Sequence, residues 1–131
     1  MAAHVYLLPL ILVLTYSCGD DFNENDDLAR LAALKTELDL LVGETNCSEL
    51  NECRALPFGA KPCGGPWEYL IYSSINSDTL KIKEKVDEYN EWNVVINERY
   101  GYTSDCSQAE APQLVCLKGK CVDRNKVGDT P

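Results

Sequence analysis

Near the middle of the chain, the fifteen residues Cys53-Arg-Ala-Leu-Pro-Phe-Gly-Ala-Lys-Pro-Cys-Gly-Gly-Pro-Trp67 hold two cysteines, three prolines and three glycines. Proline breaks a helix interior and removes a ladder bond from a strand, while glycine favours turns. The stretch therefore predicts a stiff, turned and crosslinked loop. Cys47 precedes it and Cys106, Cys116 and Cys121 follow it, so Glu44 to Val122 reads as one scaffold built around that loop.

The six cysteines gain their meaning from what lies upstream. Val5 to Ser17 is an uncharged apolar run that ends in small or polar residues before Cys18. It is shorter than the roughly 20 apolar residues of a spanning helix. Residues 1–17 therefore read as a signal peptide. Removing them leaves six cysteines besides Cys18, and in an exported chain six predict three disulfides. Fifteen pairings are possible and the spacings choose none of them. Small exported domains use such bridges because a core of about 80 residues buries only roughly 60–65% of its unfolded surface.

All 21 acidic and 12 basic residues lie after the apolar run, so the mature chain keeps the net charge of −9. The single histidine, His4, goes with the leader. Without imidazole, Ser-His and Cys-His nucleophilic catalysis and His-ligated metal sites fall away. An acidic surface repels phosphate backbones, which excludes nucleic acid as an expected partner. No CxxC is present, which leaves zinc ribbons and thioredoxin-like redox sites unsupported. Asp21, Asn23 and Asn25 alternate like calcium ligands, but a calcium loop needs Gly at its sixth position and Glu at its twelfth. Those positions hold Asp26 and Ala32. The sequence thus predicts neither a metal nor a cofactor.

Along the chain, Leu28, Leu31, Leu34, Leu38 and Leu41 recur every three or four residues and predict an amphipathic helix over 28–43, begun by Asp26 or Asp27 and stopped at Gly43. The apolar stripe is expected to dock on the domain's own sheet, with a partner protein as the alternative. Cys53 to Leu56 predicts a short strand ending at Pro57, and Trp67 to Ser73 a second, aromatic and β-branched one. Ser77 or Asp78 caps a long helix that ends at Gly101, with Ile82, Val86, Tyr89, Ile96, Tyr100 and Asn93 on one face. Trp92 lies off that face, either covering a loop or exposed. Leu114 to Val122 reads as a hairpin turning at Lys118-Gly119, with Cys116 opposite Cys121. A cross-strand bridge is feasible there, and so is a reach from either cysteine back to Cys47, Cys53 or Cys63. The fold class is α+β: two helices on a small antiparallel sheet, stapled by about three disulfides, with residues 124–131 as a frayed tail.

Two resemblances add to this reading. Thr15-Tyr-Ser-Cys18 resembles the lipobox of bacterial lipoproteins, with Thr15 where that motif usually carries Leu, and the acidic run to Asp27 resembles the start of Bacteroidota lipoproteins. That likeness implies acylation of Cys18, an acidic tether over 18–27, membrane attachment through the lipid, and location at the outer membrane or cell surface. KPCGGPWEYLIYS, YNEWN, SDC and CLKGKC together resemble a secreted cysteine-rich domain of bacterial lipoproteins, which implies compartment and frame but no activity.

Three functions then compete. The first is a binding or structural module that uses Leu56 to Trp67, with Arg54, Phe58, Lys61 and Trp67, to recognise a surface protein. The second is a protease inhibitor, because Cys53-Arg54-Ala55 resembles the reactive tripeptide of Kunitz-type inhibitors. The third is a carboxylate hydrolase drawing on Glu44, Glu49, Glu52, Glu68 or Asp105. With neither a motif nor an imidazole, the sequence predicts a protein that is not an enzyme. Asp78-Thr79-Leu80 also resembles a Bacteroidota O-glycan acceptor, although helix capping explains Asp78 as well.

Overall fold

A computed structural model describes residues 22–128. The leader, Cys18 with its expected lipid, and the last three residues lie outside the described residues. Helix α1 spans Glu24–Val42, β1 Cys53–Phe58, β2 Glu68–Ser73, α2 Thr79–Tyr100, β3 Leu114–Leu117 and β4 Lys120–Asp123. Short 3-10 turns cover Leu50–Glu52 and Arg124–Lys126. The architecture is the expected small α+β fold with three disulfides, but its strands form two separate antiparallel hairpins, β1–β2 and β3–β4.

The β1–β2 ladder divides the core in two. Its even-numbered side chains, Leu56, Phe58, Leu70 and Tyr72, meet Leu38 and Val42 of α1 and Ile82 and Val86 of α2. Its odd-numbered side chains Cys53 and Ile71 meet Cys47, Leu114, Cys116 and Cys121. Alternation along a strand produces this sorting, because successive side chains point to opposite faces. The result is three layers: a helix pair, the β1–β2 ladder, and the β3–β4 hairpin held by sulfur.

The helices lie antiparallel. Asp27 meets Arg99 and Tyr100, Glu37 meets Lys85, and the Ser77 hydroxyl donates to the Val42 carbonyl at 3.0 Å. The apolar stripe of α1 thus covers α2 as well as the sheet. Helix α1 starts earlier than its leucines predict. Asn23, and neither Asp26 nor Asp27, caps it by accepting from the Asn25 N–H at 3.0 Å. Glu24, Asp26 and Asp27 then occupy the first turn, where the helix dipole favours negative charge. Residues 24–27 are therefore helix rather than tether. Trp92 settles over this end: its Nε1–H donates to the Asp27 carbonyl at 3.1 Å, and the Arg30 guanidinium lies 4.1 Å from its ring centroid. Asp78 and Gly101 cap α2 as expected.

Strand β1 continues through Pro57 to Phe58, past its expected end. The Pro57 carbonyl accepts from Asn90 Nδ2 at 3.1 Å, so this residue's backbone faces away from β2 and its missing N–H removes no ladder bond. Cys116 and Cys121 do stand opposite one another, but they do not bridge. Both sulfurs are on the hairpin face that packs against β1–β2, and each leaves the hairpin: Cys47 pairs with Cys116 and Cys53 with Cys121. Cys63 pairs with Cys106. Arg124–Lys126 forms a turn closed by Asp123, which accepts from the Asn125 N–H, so the tail is ordered there. Among the described residues, no helix is long and apolar enough to cross a membrane.

Candidate functional site

The organising loop takes its shape from an asparagine ladder. Asn90, Asn93 and Asn97 sit three and four residues apart on α2 and share one helix face. The Gly59 N–H donates to Asn90 Oδ1 at 2.7 Å and the Ala60 N–H to Asn93 Oδ1 at 2.8 Å, while Asn97 Nδ2 donates to the Ala60 carbonyl at 2.7 Å. Each partner is a backbone group of fixed polarity, which fixes which amide atom each asparagine presents. The ladder supplies the bonds that β1 gives up where it leaves its hairpin.

Beyond Ala60 the chain folds on itself. Lys61 N–H donates to the Gly65 carbonyl and Gly64 N–H to the Lys61 carbonyl, each at 2.8 Å. Gly64 and Gly65 have φ of 92° and 81°, a region that disfavours side chains. The Lys61 ammonium is buried and donates to the Ser107 carbonyl at 2.6 Å, the Ser107 hydroxyl at 2.9 Å and Asp105 at 3.4 Å. With the Cys63–Cys106 bridge, these bonds fasten the loop to residues 104–107.

Trp67 is left standing on this platform. One side of its ring lies against Gly59, where an added Cβ would come within 2.8 Å of Cδ1, and Lys61 Nζ lies 5.0 Å from the ring centroid. Trp67 remains 47% exposed. It opens onto a groove of about 330 Å³. Trp67, Glu68, Tyr69 and Ile71 form one wall, Ala109, Glu110 and Pro112 a second, and Asp123, Asn125 and Lys126 close the end. Glu68, Glu110 and Lys126 are exposed at the rim. Asp123 is committed to structure: it accepts from the N–H groups of Gln113 and Asn125.

The four residues expected in a recognition loop separate. Only Trp67 lines the groove. Phe58 is 4% exposed and stacks on Tyr89 with ring centroids 4.3 Å apart, because its even position in β1 points it at the helices. Lys61 is buried by its three acceptors. Neither is available to a partner at the surface. Arg54 is exposed, but its Nη1 turns back to the carbonyls of Asn51 and Cys53, and its backbone pairs with Tyr72 across the ladder. An inhibitor's reactive bond must offer its backbone to the protease, and here that backbone is already used.

Three of the five acidic residues named for acid–base work are held by fixed partners. Glu44 is drawn below the ordinary carboxylate range by the Lys120 ammonium, Glu52 by the N–H groups of Ser48 and Glu49, and Asp105 by the N–H of Ser107. Carboxyls held down in this way are poor proton donors at neutral pH. Three cysteine sulfurs, from Cys47, Cys53 and Cys121, lie within 4.8 Å of one another, but all three are in disulfides and offer no thiolate to a metal.

Sequence reasoning missed the asparagine ladder, although the 90–93–97 spacing places amides on a helix face otherwise apolar. It also missed the wall at 109–112, for which the sequence carries no local signal. Compared with known proteins, the chain matches no family model, no curated protein and no solved structure.

Proposed function

We propose that this protein is an exported, lipid-anchored binding module that presents the Trp67 groove to a partner outside the cytoplasm. The observation that carries the reading is an exposed tryptophan held on a rigid, covalently fastened platform beside an open groove. Three disulfides are the mark of an oxidising compartment. The apolar leader and Thr15-Tyr-Ser-Cys18 support export and acylation at Cys18. Only three residues separate Cys18 from Phe22, where the described chain begins, so an acylated Cys18 would hold the domain within about 14 Å of the membrane. A large aromatic ring with few rotatable bonds is well suited to recognition, since it brings contact area with little entropy to lose.

Two measurements test this. Intact mass of native protein, before and after reduction and alkylation, is expected to start at Cys18 with acyl chains and to gain six alkyl groups only after reduction. A chain that retains residues 1–17, or that carries free thiols, refutes export. Trp67→Ala is expected to abolish capture of the surface partner while lowering the melting temperature by no more than a few degrees. Undiminished capture refutes the groove as the binding surface.

A further inference from the structure

The groove runs along an unpaired strand edge. Glu68 of β2 points to the helix face of the ladder and Tyr69 and Ile71 to the other, yet all three line the groove, whereas their β1 partners Phe58, Pro57 and Ala55 do not. A cavity lined by these β2 residues and by none of their β1 partners lies beside β2 on the side away from β1. The ladder's phase says what that edge displays. Ser74 N–H bonds the Glu52 carbonyl in register with β1–β2, and the Pro57 carbonyl faces outward to Asn90, so even positions bond across the ladder. The N–H and C=O groups of Tyr69 and Ile71 therefore point into the groove. Among the described residues, no backbone group bonds to them.

We infer that β2 takes an extended, cationic peptide as an added strand, paired through Tyr69 and Ile71 and stacked against Trp67. The inference rests on the binding reading above and names its ligand class. Strand addition supplies affinity through main-chain bonds and specificity through alternate side chains. Charge decides between occupants. The exposed lining carries two carboxylates, Glu68 and Glu110, against one ammonium, Lys126, and the chain carries −9 overall. A second copy of this chain would bring the same sign to the same groove, whereas lysines or arginines at alternate peptide positions meet the rim carboxylates.

The test uses oxidised protein and ten-residue peptides alternating Lys with Val or Tyr, followed by tryptophan fluorescence and by amide hydrogen exchange. The expected result is saturable binding with slowed exchange at Tyr69 and Ile71. N-methylation of alternate peptide amides on the pairing edge should weaken binding about tenfold or more, since two main-chain bonds are lost. The matching Glu-Val peptide should bind at least about tenfold more weakly, and Glu68→Gln with Glu110→Gln should remove most of that preference. Equal binding of the N-methylated peptide overturns strand addition, and equal binding of the acidic one overturns the charge assignment. No binding by any lysine peptide, with Trp67-dependent capture of a surface partner intact, overturns the inference and leaves the binding module standing. Loss of Trp67-dependent capture as well overturns both. Concentration-dependent dimerisation that protects Tyr69 and Ile71 assigns the edge to a second copy and overturns the peptide.

Discussion

Asn93 and Asn97 make opposite use of the same side chain, and exchanging each for aspartate separates them. At position 93 the working atom is the acceptor Oδ1, which takes the Ala60 N–H. Asn93→Asp keeps an acceptor there and strengthens it by charge, offset by burying that charge at a site 8% exposed. The net cost should be small, about 1 kcal/mol. At position 97 the working atom is the donor Nδ2, which lies 2.7 Å from the Ala60 carbonyl oxygen. Asn97→Asp removes the donor and sets two acceptors against each other in a buried site, a loss of roughly 3–5 kcal/mol at neutral pH. A carboxylate in the last turns of α2 also opposes the helix dipole, but that term stays under about 1 kcal/mol and cannot produce the contrast. The pH dependence follows from the same geometry. Protonated, the introduced carboxyl can donate to Ala60, so its folded pKa lies above its unfolded value of about 3.9. The variant is therefore close to wild type below about pH 4, and loses stability as pH rises through the raised folded pKa. Urea unfolding of both variants against wild type at pH 4 and pH 7, read by fluorescence, measures this. Equal losses at pH 7, or an Asn97→Asp deficit that persists unchanged at pH 4, would refute the ladder as drawn.

Three other outcomes are expected. Phe58→Ala should cost about 3–5 kcal/mol by emptying a core site, whereas Trp67→Ala should cost about 1 kcal/mol or less; thermal melts that rank them the other way would exchange core and surface. Removing the Cys63–Cys106 bridge as a Cys→Ala pair should cost up to about 4 kcal/mol in urea, because it closes a segment with a sequence separation of 43. Proteolysis should then begin within 104–113, and cleavage first in α1 would show that the bridge restrains something else. Asp27 is held below the ordinary aspartate value of 3.8 by hydrogen bonds from Tyr100 and Arg99, despite an opposing desolvation penalty. Its contribution is present above that value and fades as pH falls through the lower folded one. The deficit of Asp27→Asn against wild type in melting temperature should therefore be full at pH 7 and shrink towards pH 2; a constant deficit would place the effect in packing.

Much of the frame was legible because it follows from local patterns. Leucine periodicity, Asp78, Gly101 and the Lys118-Gly119 turn each act on neighbours within a few residues, and the structure holds both helices and the closing hairpin. Disulfide pairing depends on which faces of distant elements meet. Cys116 and Cys121 are ideally placed for each other in sequence, yet a sheet packed against their shared face draws them to Cys47 and Cys53. The loop's aromatics divided for a similar reason. Phe58 and Trp67 look equivalent along the chain, but the first belongs to an even position of β1 and the second follows the turn that ends the ladder. Lys61 carried no sign of burial, since its acceptors at 105 and 107 come from a segment more than forty residues away.

An unprotected strand edge is a liability, and proteins blunt it with lysines, prolines, bulges or a covering element. Strand β2, Glu-Tyr-Leu-Ile-Tyr-Ser, contains no lysine, no proline and no glycine. The chain instead leaves the edge unpaired and walls it. One wall, 109–112, follows Cys106, which is tied to the loop beneath Trp67 through Cys63. The closing end, Asp123, Asn125 and Lys126, follows Cys121, which is tied to β1 through Cys53. Each boundary of the groove is thus fastened covalently to the hairpin that carries the edge. In the strand-addition reading proposed above, walls set in this way leave room for one extended segment along β2, and the net negative charge disfavours a further copy of the same chain there. The bridges stabilise a domain whose core is small. Their placement also keeps one strand edge open without leaving it open to everything.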